Sequence, residues 1–351
     1  MTEYTDYSLI HHNTFGLPAR CHRFIEYSGV DELCEALSRL RADRTPWMHI
    51  GRGSNLVFVG DYEGTILHSA LTGIDVEAVG SDEVLVTAGA GIVWDDLVAW
   101  TLQRGYYGLE NLSLIPGEVG AAAVQNIGAY GVEAARFIDS VQTVDAATGH
   151  PATLPCSECR YAYRHSVFKE ADAPRRIVTA VTFRLRRTFT PHLDYAALRD
   201  RIAADGIDCA ALTADMLRSI IVRIRREKLP DPDQQGSAGS FFMNPVVDAA
   251  TFAALQAAHP DIPHYPAPDG IKLSAGWLID RAGWRGRSMG PAGVWGKQAL
   301  VLVNLGGATG TDVLRLAAAV QRDVLRQFGI TLRPEAILVG ESPDWPLDGS
   351  I

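Results

Sequence analysis

The stretch that most constrains what this chain can fold into is "LIPGEVGAAAVQNIGAYGVE", residues 114 to 133. Gly117, Gly120, Gly128 and Gly131 leave no Cβ in the way of a close backbone approach, Ala121 to Ala123 add little bulk, and no charge falls between Glu118 and Glu133. The run has neither the apolar period of an amphipathic helix nor the alternation of a half-buried strand. Gln125 and Asn126 add amide donors and acceptors. Such a surface suits something flat laid against it. The alternative is core packing against another backbone, and against that stands the lack of the large apolar side chains a core normally buries.

The chain of 351 residues has room for two or three domains. Its 47% apolar and 21% charged residues are ordinary for a globular protein, and no apolar run approaches the roughly 18 residues of a membrane helix, so no span is expected. "MTEYTDYSLIHHNT" lacks the basic and apolar regions of a secretion signal, which points to the cytoplasm. Cys21, Cys34, Cys156, Cys159 and Cys209 are odd in number and scattered, as reduced thiols are. The Cys156-x-x-Cys159 spacing has no second pair or histidine pair to complete a metal site and is read as coincidence; no metal is expected. A net charge of −9 is the wrong sign for a nucleic-acid partner, so any small anionic ligand must be held by local arginines and lysines.

Along the chain, "WMHIGRGSNLVFV" (47 to 59) reads as two apolar strands about a Gly-rich turn, and "EVLVTAGAGI" (83 to 92) as a strand followed by a helix over 93 to 103. "DSVQTVDAATG" (139 to 149) and "RRIVTAVTFRLR" (176 to 187) read as strands. Thr213 is a plausible N-cap for a helix whose face carries Leu217, Ile220, Ile221 and Ile224 and which runs to Lys228. The loop at 230 to 240 is the best candidate domain boundary. Beyond it, helices at 274 to 283 and 311 to 329 and the strand "ALVLVNL" predict a small α+β unit.

"GRGSN", Gly51 to Asn55, is either a phosphate-binding nest or a hairpin turn; the Val-rich strand after it excludes the dinucleotide fingerprint. "CRYAYRHSVFK" (159 to 169) sets Arg160, Arg164 and Lys169 among aromatics, the pattern of a surface strand or of an anion site. Lys228 lies four residues after Ile224, which steers its ammonium inward and calls for an anion. Ser240 precedes Phe241 and Phe242, which suits a hydroxyl in a dry pocket or an ordinary turn serine. Glu335 follows Pro334 at the mouth of an apolar strand, where a plain surface carboxylate is the simpler reading.

Together with "NTFG" (13 to 16), "KLPDP", "GSFFMNP", "KLSAGWLID" (272 to 280), "QALVLVN" and "LRPE", these segments resemble, in order over nearly the whole chain, the UDP-N-acetylenolpyruvoylglucosamine reductases, flavoenzymes of peptidoglycan precursor synthesis. The resemblance implies an α+β fold: an FAD-binding fold of the PCMH/VAO type in two subdomains (1 to 75; 76 to 228 with 332 to 351) and a third α+β subdomain for substrate (229 to 331). It implies FAD along Gly51, Arg52, Gly53, Ser54, Asn55 and Leu56, and along Ile115, Pro116, Gly117, Val119, Gly120, Ala121, Ala122, Gln125, Asn126, Gly128, Ala129 and Tyr130. NADPH is the implied reductant and the enolpyruvyl ether of UDP-N-acetylglucosamine the implied substrate, in a monomer. Arg164 and Glu335 are implied at the substrate carboxylate, Ser240 as proton donor, and Lys228, Asn244 and Gln298 at the UDP-sugar; the insert containing "LDYAAL" resembles the longer of two family types, with Tyr195 closing over the uridine end. Met243, Ala123 and Ile337 depart from the family's lysine, proline and arginine.

Hydride added to the terminal carbon of such an enol ether leaves negative charge spread from C2 into the carboxyl group. An arginine and a Glu335 kept protonated by burial would stabilise it, with Ser240 protonating C2. Hydride itself requires the flavin. A flavin oxidase would share "GRGSN" without the Lys228, Ser240 and Glu335 set, and a non-catalytic nucleotide-binding module would have no use for Ser240 and Glu335. Valine at Gly53 or Gly128 is expected to give folded, colourless protein.

Overall fold

A computed structural model describes residues 1–173, 175–232 and 234–340. Residues 341–351, allotted from the sequence to the second flavin subdomain, lie outside the described residues. The chain forms two compact units: one of Met1–Tyr7, Cys21–Arg52 and Glu63–Arg225, the other of Ser8–Arg20, Gly53–Tyr62 and the chain from Arg226 onward. The boundary thus falls inside the helix Ala214–Lys228 rather than in the 230 to 240 loop.

Among the described residues the first unit holds two larger sheets and a short antiparallel pair, Gly128–Ala129 with Val132–Glu133. One has the order Thr2–Ser8, Arg20–Tyr27, Tyr62–Ser69, Trp47–Ile50, with the last two strands parallel and Ile50 opposite His68. The helix Val30–Asp43 brings Leu33, Ala36, Leu37 and Leu40 into a core with Ile25, Tyr27 and Leu67. The other sheet is antiparallel, ordered Pro151–Pro155, Ile138–Asp145, Arg176–Arg186, Glu83–Gly89, Ile74–Val79. The expected helix is present as Trp94–Gln103 and buries Trp94, Leu97 and Val98 against this sheet's core. A smaller core of Leu198, Ile202, Leu212, Leu217, Ile220, Ile221 and Ile224 joins the helices Ala196–Ala204 and Ala214–Lys228; the Thr213 hydroxyl accepts the Met216 N–H at 3.2 Å, as a cap should.

The second unit is built on a sheet ordered Ser237–Ser240, Val301–Asn304, Ala292–Val294, Ser288–Met289, covered by the helix Gly310–Phe328. That helix starts at a reciprocal Thr309–Asp312 cap and ends at Gly329, φ 68°. Distant sequence completes the core: Phe15, Leu17 and Val57 pack with Phe241, Phe242, Leu302 and Val320. The two strands around "GRGSN" do not form a hairpin. Trp47–Ile50 pairs with Tyr62–Ser69, whereas Leu56–Phe58 pairs in parallel with Ile337–Val339. Among the described residues no helix is long and apolar enough to cross a membrane.

Candidate active site

In the first unit the small-residue stretch is not wholly irregular, because Val119–Gln125 is a seven-residue helix. Its Val119 and Gly120 amides donate to the Ile92 and Ala90 carbonyls at 2.9 Å, so these end-of-helix donors serve the fold. Val119, Gly120, Ala122 and Ala123 are buried, and a Cβ on Gly120 would stand 2.8 Å from the Ala90 methyl. The core-packing alternative therefore holds on this face. Ala121, Val124 and Gln125 remain half-buried, followed by Gly128, Ala129 and Tyr130. Ala121 lies 3.6 Å from where Gly51 would carry a Cβ, so the two glycine-bearing segments meet within this unit. Arg52 is exposed and Pro116 likewise; Ile115 is half-buried.

The Asn126 side chain, fully buried, donates to Glu133 Oε2 (2.8 Å) and the Ala162 carbonyl (2.9 Å) and accepts from the Ala135 N–H (3.0 Å). Its backbone N–H is engaged as well, donating to the Ala123 carbonyl at 3.3 Å. Leu114 is held at φ 57° by its N–H on Asp95 Oδ1 and its carbonyl on Arg225 Nε, while Asp95 takes a two-pronged pair from Arg218 at 2.7 and 2.9 Å. Burial opposes the Asp95 charge, but Arg218 and the Leu114 N–H hold its carboxyl below the usual range.

Arg164 is half-buried, with φ 55° and its guanidinium 3.5 Å from the Gly128 carbonyl. Lys169 bridges the Arg164 carbonyl (2.8 Å) and Gln125 Oε1 (3.1 Å). Tyr130, φ 50°, meets the Tyr195 ring edge-on at 5.7 Å, and Tyr195 itself is 43% exposed. Non-glycine residues in the left-handed region cost on the order of 1–3 kcal/mol each and cluster at functional sites. Gln125, Gly128, Tyr130, Arg164 and Tyr195 thus share one neighbourhood.

In the second unit Ser240 ends the strand Ser237–Ser240 opposite Val301, and Phe241 and Phe242 after it are fully buried. The Phe241 carbonyl accepts the Glu335 N–H at 2.8 Å, and the Met243 N–H donates to the Arg333 carbonyl at 2.9 Å. Glu335, half-buried, is therefore bonded through its backbone to the residue that follows Ser240, which is half-buried too. Asn55 Nδ2 donates to the Glu335 carbonyl (3.1 Å), which ties residues 53–56 to the same place. "NTFG" gains a structural role: Asn13 bonds Leu9 and Leu17, and the Thr14 hydroxyl donates to the Ser237 carbonyl at 2.7 Å. Gly53 has φ 65°, and a Cβ there would collide with the His12 carbonyl oxygen; the space it keeps clear is the protein's own.

Asn244 and Gln298 come together at the start of the helix Ala275–Arg281. Asn244 Oδ1 accepts the Ala275 N–H at 2.9 Å, and Gln298 Oε1 is 3.0 Å from where Gly276 would carry a Cβ. Lys228 is exposed, which overturns the inward orientation expected for it. The apolar face of its helix has packing partners only as far as Ile224, so one turn later the lysine meets no core. Cys156 and Cys159 are free thiols, and burial pushes Cys159 up to about 11. A buried pairing of His68 with Glu118, 3.2 Å apart, is signalled in the sequence only by a lone acid in a run of small residues.

Residues 22–154 match the family described as FAD binding domain, and residues 231–339 that described as UDP-N-acetylenolpyruvoylglucosamine reductase, C-terminal domain. The chain is 49% identical over 330 residues to the UDP-N-acetylenolpyruvoylglucosamine reductase of Bacteroides fragilis (strain YCH46), covering 94% of this chain and 98% of the relative. To the enzyme of that name from Azoarcus sp. (strain BH72) it is 50% identical over 340 residues, 95% and 97% of the two chains. Among solved structures it is similar to the UDP-N-acetylenolpyruvylglucosamine reductase of Thermus caldophilus, with a TM-score of 0.65, 24% identity, and coverage of 96% and 98%. It is also similar to 6-hydroxy-D-nicotine oxidase from Arthrobacter nicotinovorans, with a TM-score of 0.52, 14% identity, and coverage of 89% and 81%. These two likenesses concern the fold, an α+β architecture of the flavin-oxidase type.

Proposed function

The chain belongs to the UDP-N-acetylenolpyruvoylglucosamine reductase family and is an FAD-dependent oxidoreductase, and we propose that it reduces the enolpyruvyl ether of UDP-N-acetylglucosamine with NADPH in peptidoglycan precursor synthesis. The observation that carries the assignment of its residues is the Ser240 and Glu335 pair, joined through the Phe241 carbonyl and flanked by two fully buried phenylalanines. A flavin oxidase or a binding module has no need of a serine and a glutamate brought by the backbone to one strand end.

The fit to FAD rests on the half-buried strip of Ala121, Gln125, Gly128 and Ala129, in which three residues carry one methyl or none and Gln125 offers an amide, and on Gly51 beside it. Tyr130 and the backbone of Asn126 border the strip, while Val119, Gly120 and Ala122 support it from the core. Bound FAD supplies hydride transfer, which no side chain performs. Arg164, cationic at any working pH, takes the substrate carboxylate and stabilises the charge that spreads into it once hydride reaches the terminal carbon. Ser240 gives its hydroxyl proton to C2 and regains one from solvent. Glu335 is assigned to the same carboxylate end. Asn244, Gln298 and Lys228 hold the UDP-sugar, and Tyr195 takes the uridine end, which makes this the longer family type.

The three-part division at 1–75, 76–228 with 332–351, and 229–331 is proposed as a division of ligand duties: flavin on the first two parts, UDP-sugar on the third. The same reading takes the enzyme as a cytoplasmic monomer with no nucleic-acid partner, in keeping with the net charge of −9. Anaerobic NADPH should bleach the yellow protein, and the enolpyruvyl UDP-sugar should restore the colour without oxygen. Recolouring by air alone would make it an oxidase, and failure to bleach would leave only binding.

Because Lys228 is exposed, its removal leaves the core undisturbed. Lys228→Met should raise KM for the UDP-sugar about tenfold and change the rate of bleaching by less than about twofold, the pattern of lost substrate binding. Equal damage to both half-reactions in stopped-flow would assign the lysine a structural role.

A further inference from the structure

A charged cluster, buried at His68 and Glu118 and open to solvent at Glu26, lies against Gly51 in the first unit, outside every role assigned above. His68 bridges two carboxylates: Nδ1 is 3.0 Å from Glu26 Oε2 and Nε2 is 3.2 Å from Glu118 Oε1. Glu118 is only 5% exposed, and its other oxygen is 2.8 Å from where a Cβ on Gly51 would stand. It immediately precedes the helix Val119–Gln125 yet makes no side-chain cap bond to it, so the carboxylate is engaged by the imidazole instead. A neutral imidazole has one donor and one acceptor, whereas the protonated ring has two donors. Only the cation donates to both carboxylates, and of the two Glu118 is the buried one, the Glu26 side chain being 40% exposed.

The surroundings agree. Burial works against a charged His68, but the hydrogen bonds and charges of Glu118 and Glu26 outweigh it and raise its pKa. On the neighbouring strand His49, 2.8 Å from the Tyr27 hydroxyl, is kept neutral by burial and by the charges of His68 and Arg175. On the Glu26 side lie Phe24, whose ring stacks on His68 at 5.9 Å, and Tyr7, whose hydroxyl pKa is raised by burial and by nearby groups including Glu26. The local balance is two carboxylates against one imidazolium, directly under a glycine turn assigned to FAD.

We propose that His68 is a positioning residue for the cofactor: in its protonated form it cancels the charge of Glu118 against Gly51, so that the turn at residues 51–52 accepts the anionic pyrophosphate of FAD. This rests on the reading that the turn and the strip after Glu118 hold FAD. When His68 loses its proton, a buried carboxylate stands uncompensated beside that anion, and like charges at such range oppose binding. The sign follows. Tight binding is fully present below the ordinary histidine value and fades as pH rises through the raised one.

The test is FAD affinity of the apoprotein, read by flavin fluorescence from about pH 6 to about pH 9.5, a range that spans the titration of a histidine held above its ordinary value. Wild type should weaken about tenfold across the range, His68→Gln should bind about tenfold more weakly at pH 6 with a flat profile, and His68→Gln/Glu118→Gln should return to within about threefold of wild type, also flat. A structural staple would not be rescued by removing its second member. A flat wild-type profile, a sloping His68→Gln profile, or a double variant no tighter than the single would each overturn the proposal. Ala121→Leu reads the site assignment separately. Lost affinity upholds the FAD site, so that a flat wild-type profile then refutes His68 alone; unchanged affinity refutes the site and the proposal with it.

Discussion

Ser240→Ala is expected to leave FAD binding and NADPH-driven bleaching nearly intact while slowing recolouring by the enolpyruvyl substrate by roughly 10²–10⁴-fold, the scale of general acid catalysis. Neither binding nor bleaching needs a proton at that position. Recolouring does, because charge left on C2 and its carboxyl group persists until a donor arrives. The Ser240 backbone is fixed at a strand end by pairing with Val301 and is followed by two buried phenylalanines, and loosely placed water lacks such an anchor; orientation is worth roughly 7–11 kcal/mol in well-aligned cases. Cysteine at the same place keeps a donor at similar reach and should recover part of the rate. Stopped-flow traces of the two half-reactions decide the matter. An alanine variant slowed mainly in bleaching, or recoloured at the wild-type rate, removes Ser240 from the role and makes Glu335, its neighbour through the Phe241 carbonyl, the next acid to test.

Gly53→Val is expected to cost the fold itself, where the sequence pointed only to lost colour. At φ 65° a valine is strained by about 1–3 kcal/mol. Its Cβ would also run into the His12 carbonyl and stand 2.8 Å from Asn13 Cα, and backbone atoms cannot swing aside as a side chain can. Overpacking of this kind adds ~1–3 kcal/mol. The sum is a large part of the ~5–15 kcal/mol that holds a typical domain together. A melting point lowered by roughly 10 °C or more, or no soluble protein, should result in the apoprotein, whose stability contains no flavin contribution. A wild-type melting point would show that residues 12–13 yield easily. Gly128→Val falls between these cases, since its Cβ would meet Glu133 Cγ and the Val132 carbonyl at 3.0 Å, a contact a side chain can partly relieve.

Much of this molecule was legible at short range. The Thr213 cap, the apolar stripe through Ile224 and the helix ending at Gly329 follow from side-chain chemistry and steric limits acting within a few residues, and each has its counterpart in the fold. So do the strands at 83 to 92 and 176 to 187 and the motif order that carries the family, whereas the small-residue stretch packs one face into the core through Val119, Gly120, Ala122 and Ala123. What escaped the sequence concerns partners. Periodicity placed Lys228 inward, but only the extent of the packed core, which stops at Ile224, decides whether anything stands there to receive it. "GRGSN" looked like one loop between paired strands, yet its flanking strands take different partners, because strand pairing is settled by non-local hydrogen bonds. Asn126 carried the right groups for a ligand and spends them on Glu133, Ala162 and Ala135. The sequence by itself determined which local structures and which chemistry this chain can have; tertiary structure alone decided which polar group meets which, since a buried donor or charge is satisfied by whatever the fold brings within about 3 Å, at any distance along the chain.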